Sequence, residues 1–209
     1  MSSEIVRLQN AVSNQDHVAG PSAALVTLLE YGNFECIHCG QTYPVIKQIR
    51  NLLSNDLRFV FRHFATVQTH PHSVRAAEAA EAAGAQEKFW EMHDELFAHQ
   101  TALTDRDLLG YAKRIGLDVD RFSREMSENV FLPQVETGYR QSLFDEHITG
   151  TPTLYLNETR YTGATHLQAL LEAIKQSDPQ GLTRLQTKAS NKEGHGQAAA
   201  RRWWIDAGC

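Results

Sequence analysis

The pair of cysteines in Cys36-Ile37-His38-Cys39 constrains this chain more than any other stretch, because of what flanks it. Before it runs an apolar segment, Ala23-Ala24-Leu25-Val26-Thr27-Leu28-Leu29, and a turn-like Tyr31-Gly32-Asn33. After it, Tyr43, Ile46, Ile49, Leu52 and Leu53 recur at helical spacing. Strand, short loop and two cysteines at the mouth of a helix is the geometry that makes a thiol reactive. Free N–H groups of the first helical turn and the positive end of the helix dipole both stabilise a thiolate there. The spacing predicts Cys36 exposed at that mouth. Cys39 falls one turn further in, shielded but close enough to form a disulfide with it. In this setting the pair reads as a redox motif.

A Cys-x-x-Cys is also half of a zinc site, which would make the chain a zinc-binding or redox-sensing interaction module. Structural zinc needs a second ligand pair to complete a tetrahedron. The third cysteine, Cys209, is the last residue, and His63, His70 and His72 are the nitrogen donors to consider. His70-Pro71-His72 lacks the spacing of a zinc half-site, so the sequence predicts no bound metal.

The formal charge of −5 argues against nucleic acid as a partner. No stretch approaches the length of a membrane span. Residues 1–10 show neither the apolar run nor the cleavage site of a secretory signal. The expected location is the cytoplasm, or the periplasm if a leader preceded Met1. In a reducing compartment two close cysteines favour a catalytic or sensing pair over a structural bridge.

Along the chain, 5–8 reads as a short edge strand and 16–21 as a loop. Residues 25–31 read as a strand buried on both faces, interrupted by Glu30. A carboxylate there is costly unless it has a task or a partner, and Arg62 and Lys47 are the candidate partners. Pro44 is expected to kink the following helix. Residues 57–64 alternate apolar and polar, which argues a strand and, with its predecessors, a right-handed crossover. From 72 to 147 the period is helical throughout: 74–83, 87–99, a capped start at Thr104, another at Asp118, and 134–146. Phe89 and Trp90 read as core of this region. Strands then resume at 153–156 and 159–162 around an Asn157-Glu158 turn, and Thr165-His166-Leu167-Gln168 has the form of a capping box. Residues 178–209 are polar and read as a disordered tail ending in Arg201-Arg202-Trp203-Trp204-Ile205.

Glu30-Tyr31-Gly32-Asn33-Phe34-Glu35-Cys36-Ile37-His38-Cys39, the strand reaching Arg62-His63-Phe64, the helical insertion and Gly150-Thr151-Pro152-Thr153 together resemble the DsbA-like branch of the thioredoxin superfamily, over about 16–176. The resemblance implies an α/β thioredoxin-like fold, a central mixed sheet flanked by helices, with an inserted α-helical domain. The implied division is 1–71 with 148–177 for the thioredoxin-like domain and 72–147 for the insertion. It implies a thiol–disulfide oxidoreductase acting on protein or peptide thiols and disulfides, with a redox partner and no organic cofactor beyond the Cys36–Cys39 disulfide. Carried over, Cys36 is the attacking and leaving sulfur and Cys39 the resolving one. His38 helps set the acidity of Cys36, Glu30 is the buried acid that takes the Cys39 proton, and Thr151-Pro152, with a cis bond, faces the cysteines where substrate binds. DsbA itself has proline where this chain has Ile37, so its redox character does not transfer. A glutathione-linked isomerase or transferase of the same fold usually has a single Ser or Cys here, and Cys39 argues against it.

Overall fold

The computed structural model describes residues 5–177; the expectations for the tail and Cys209 lie outside the described residues. Five strands form one sheet in the order β1-β3-β2-β4-β5. They are β1 (His17–Ala19), β2 (Val26–Gly32), β3 (Leu57–His63), β4 (Thr153–Leu156) and β5 (Thr159–Tyr161). β2 and β3 run parallel, and the other neighbours are antiparallel, so the sheet is mixed. Helix α1 (Ile37–Leu53) makes the crossover between the parallel pair. It runs through Pro44 as a single helix. Five helices fill the interval between β3 and β4: α2 (Ser73–Gly84), α3 (Phe89–Ala98), α4 (Asp105–Arg114), α5 (Val119–Ser127) and α6 (Leu132–Phe144). Helix α7 (Leu167–Ser177) follows β5.

Side chains alternate across a strand, and β2 divides its own residues between two cores accordingly. Val26 and Leu28 join Ile46 and Ile49 of α1, Leu170 and Ile174 of α7, and Met92 and Leu96 of α3. Leu29 and Tyr31 face the other way, against Val60, Tyr155 and the α6 residues Tyr139 and Leu143. By the same alternation Glu30 points to the α1 side. The Ala-rich α2 contributes Ala76, Ala79, Ala80 and Ala83 to the larger core, so the insertion and the sheet share one apolar interior.

Two expectations at the edges need correction. The segment read as a loop contains β1, antiparallel to β3 with Val18 opposite Val60. Three half-buried residues are too few to show a period-two pattern. Gly20 ends this strand at φ 95°, packed where a side chain would meet the Leu57 carbonyl. The strand expected at 5–8 is reduced to one bridge, Arg7 with Thr159, at the opposite edge. The Asn157-Glu158 turn is formed with both residues at positive φ, 45° and 67°, as a two-residue hairpin requires. Thr104 and Asp107 make a reciprocal capping box at α4. At α7 the cap is different from the expected one: Nδ1 of His166 accepts from the Ala169 N–H at 3.3 Å.

Candidate active site

Cys36 is the N-cap of α1, with extended backbone (φ −77°, ψ 121°), and no side chain caps the helix there. Its sulfur therefore sits among N–H groups that have no partner within the helix. The position differs from expectation in one respect, since Cys36 is only 5% exposed. The Thr151–Pro152 segment closes over it, with the Thr151 carbonyl oxygen 3.4 Å from the Cys36 sulfur, a hydrogen bond that only the protonated thiol can donate. The Thr151–Pro152 peptide is cis. Ile37 and His38 turn outward beside it, Ile37 at 66% exposure. Cys39 is fully buried one turn below.

The electrostatics of the two sulfurs diverge. A hydrogen bond from the Cys39 thiol favours the Cys36 thiolate most; the Thr151 side chain and the backbone N–H groups of Cys39 and His38 add to it. Against the opposing cost of desolvation, Cys36 is pushed down to about 4. Burial pushes Cys39 well above the usual thiol range, and its bond to Cys36 and the charge of Glu30 act in the same direction. Burial also raises Glu30, to about 8, with the nearby Cys36 charge contributing. Two acid groups that an unfolded chain would titrate in the order carboxyl then thiol have exchanged places.

Neither proposed partner reaches Glu30. Arg62 donates to Asp16 at 2.6 and 3.0 Å and to the Tyr31 hydroxyl at 2.8 Å, while Lys47 pairs with Asp94 at 2.8 Å. Oε1 of Glu30 is buried and makes no protein hydrogen bond. The salt-bridge reading of this carboxylate fails, and a buried acid under the cysteines remains. His38 contributes through its backbone N–H; its ring lies 3.4 Å from Oε1 of Gln41 on the helix surface.

Two residues of the site, Gln100 and Gly40, had no place in the sequence reading, and Asn33 stood there only as part of a turn-like segment. Gln100, just past α3, donates its side-chain amide to the carbonyls of Phe34 (2.8 Å) and Cys36 (2.9 Å), joining the insertion to the cysteine loop. Gly40 makes room for it, since a side chain there would overlap the Gln100 amide. Asn33 shapes the loop: its Oδ1 accepts from the Glu35 N–H at 2.9 Å, and its Nδ2 donates to the Phe64 carbonyl at 3.2 Å. An Asn whose side chain accepts from the N–H two residues on, just ahead of a helix cap, is a readable turn signal. Gln100 carries no signal, being 64 residues from the carbonyl it holds.

The histidines weighed as zinc ligands go elsewhere. His72 pairs with Glu35 (2.8 Å), His70 with the Thr69 hydroxyl (2.8 Å), and His63 with Glu81 (2.9 Å). Among the described residues, the group placed to hold a metal does not include the cysteines.

A mixed sheet with a Cys-x-x-Cys at the N-terminus of its crossover helix and a cis-proline loop above it defines a thioredoxin-fold protein. A family model described as Thioredoxin matches residues 12–176. The chain belongs to this family. Among solved structures, BdbD from Bacillus subtilis superposes with a TM-score of 0.73 at 23% identity, covering 83% of this chain and 98% of BdbD. The thiol-disulfide exchange protein alpha-DsbA2 from Wolbachia pipientis gives 0.67 at 25% identity, covering 78% and 87%. Among curated proteins, the Na(+)/H(+) antiporter NhaA 1 of Salinispora arenicola is 42% identical over 161 residues, which is 77% of this chain and 24% of that protein. NhaA 3 of Salinispora tropica is 40% identical over the same length. The chain thus spans about a quarter of the length of these curated relatives. No helix among the described residues is long and apolar enough to cross a membrane.

Proposed function

We propose that the chain is a thiol–disulfide oxidoreductase that exchanges disulfides with protein or peptide substrates through Cys36 and Cys39, with no organic cofactor. The observation that carries this reading is the placement of the pair, Cys36 at the N-cap of α1 beneath the cis Thr151–Pro152 segment and Cys39 buried one turn below. That placement lowers the pKa of the first thiol and raises that of the second. In the oxidising direction a substrate thiolate attacks Sγ of Cys36 in the Cys36–Cys39 disulfide. The S–S bond breaks, its electron pair leaves on Cys39, and Cys39 takes a proton from the neutral Glu30 carboxyl. A second substrate thiolate then attacks the substrate sulfur of the mixed disulfide, and Cys36 departs as thiolate. The substrate loses two electrons and the protein gains them; a redox partner removes them again. Run backwards, Cys36 attacks and Glu30 receives the Cys39 proton. A sulfur that leaves so readily makes the disulfide an effective electron acceptor.

The substrate would lie against Thr151–Pro152, whose Thr151 carbonyl already faces Cys36, and beside exposed Ile37. The test is to incubate reduced variants with a peptide disulfide and detect adducts by mass spectrometry. Cys39→Ser should accumulate the peptide–Cys36 mixed disulfide, and Cys36→Ser should form no adduct and no product. Glu30→Gln should slow resolution while leaving the first attack fast. Turnover by Cys36→Ser would remove this function.

A further inference from the structure

We propose a second site, a zinc site formed by His17, His63 and Glu81, separate from the cysteines. The three residues come from β1, β3 and α2, and their ligand atoms lie within 4.8 Å of one another. Nε2 of His17 and Nε2 of His63 each approach the same oxygen, Oε1 of Glu81, at 2.9 Å. Zinc with bonds of about 2.0–2.2 Å sets tetrahedral ligands roughly 3.3–3.5 Å apart. The two histidine–carboxylate contacts therefore need to open by a few tenths of an ångström, while the two histidine nitrogens, within 4.8 Å of each other, settle to the same spacing. Two imidazoles and a carboxylate are a donor set suited to this borderline ion.

The ligands are held in place by their neighbours, aromatic residues of the main core among them. His17 stacks on Phe89 with ring centroids 3.4 Å apart and planes 6° from parallel. His63 is boxed edge-on by Phe34, Phe61 and Phe89. Gln134 on α6 donates to the other oxygen of Glu81 at 2.7 Å, the kind of outer contact that orients a ligating carboxylate. One side remains accessible: all four residues line a cleft of about 880 Å³ that also reaches Asp16 and Arg62. An ion entering from it would have three protein ligands and one position for water.

Such a site departs from the sequence-based expectation of no bound metal. That expectation rested on spacing along the chain, whereas these ligands stand 46 and 18 residues apart and are assembled by the sheet and α2. An ion here would tie the first helix of the insertion to the edge and end of the sheet.

The experiment uses the full chain with both active-site cysteines replaced, Cys36→Ser/Cys39→Ser, and with Cys209→Ser. The metal-free protein is titrated with zinc chloride by calorimetry, and separately with cobalt chloride followed by absorption. The expected result is one zinc per chain, a higher Tm with zinc, and cobalt ligand-field bands without a thiolate charge-transfer band. His17→Gln and His63→Gln, checked for folding by circular dichroism, should each weaken zinc binding by at least about tenfold. No stoichiometric uptake by the cysteine-free chain, or uptake unchanged by both histidine variants, would overturn the site. The cobalt spectrum of the intact ligand set decides the matter even if a histidine variant fails to fold.

Discussion

At the residue scale, the site turns on one thiol made acidic and two neighbouring acids made weak. In a Cys209→Ser background the reduced protein should show two alkylation midpoints far apart. Cys36 should react with a midpoint near 4, and Cys39 should resist until the pH is well above 9. Iodoacetamide labelling against pH, read by peptide mass, gives both curves, and a lower midpoint for Cys39 would reverse the assigned roles. The identities of these residues were legible in the sequence because the cysteines mark a helix start and Glu30 interrupts an apolar strand. Their relation was not. That the Cys39 thiol is the largest single influence on Cys36, and that the His38 ring stays outside, depends on where one helical turn places a sulfur and an N–H.

At the scale of elements, long periodic segments declared themselves and short edges did not. The crossover, the five helices between β3 and β4, and the Asn157-Glu158 hairpin all carry local chemistry that matches their geometry. β1 has three residues and takes its identity from pairing with β3, which no local pattern records. The contact between α1 and the insertion was equally silent, since Gln100 holds the cysteine loop from a segment remote in sequence. It yields a specific expectation. Gly40→Ala places a methyl group where the Gln100 amide lies, and should expel that amide from the Phe34 and Cys36 carbonyls. Losing the two hydrogen bonds should cost about 1–3 kcal/mol. Gln100→Ala should lose a similar amount, and the double variant should lose little more than either alone. Additive losses in urea unfolding would mean that the two positions do not act on each other.

At the scale of the whole molecule, the shared core makes the local acids visible as a global property, the dependence of stability on pH. A carboxyl raised from 4.5 to about 8 gives its full contribution below pH 4.5 and loses it as the pH rises through 8. Cys36 has the opposite sign: lowered from 9.0 to about 4, it favours the folded reduced protein fully above 9, and that advantage is lost as the pH falls towards 4. The two slopes oppose each other between pH 4.5 and 8 in the reduced chain. The disulfide removes the Cys36 proton from the balance and leaves Glu30 alone. Oxidised wild type should therefore weaken across this window relative to oxidised Glu30→Gln, with no difference near pH 4. The gap should reach on the order of 3–5 kcal/mol by pH 8, as an upper range, because the Cys36 charge that helps raise Glu30 is absent from the disulfide form. At about 2–4 °C per kcal/mol, the difference in Tm is easily measured. Thermal unfolding of both proteins at pH 4, 6 and 8, oxidised throughout, decides it. Parallel curves would mean that Glu30 is ionised in the folded protein, and it could not then supply the proton that Cys39 takes when the disulfide opens.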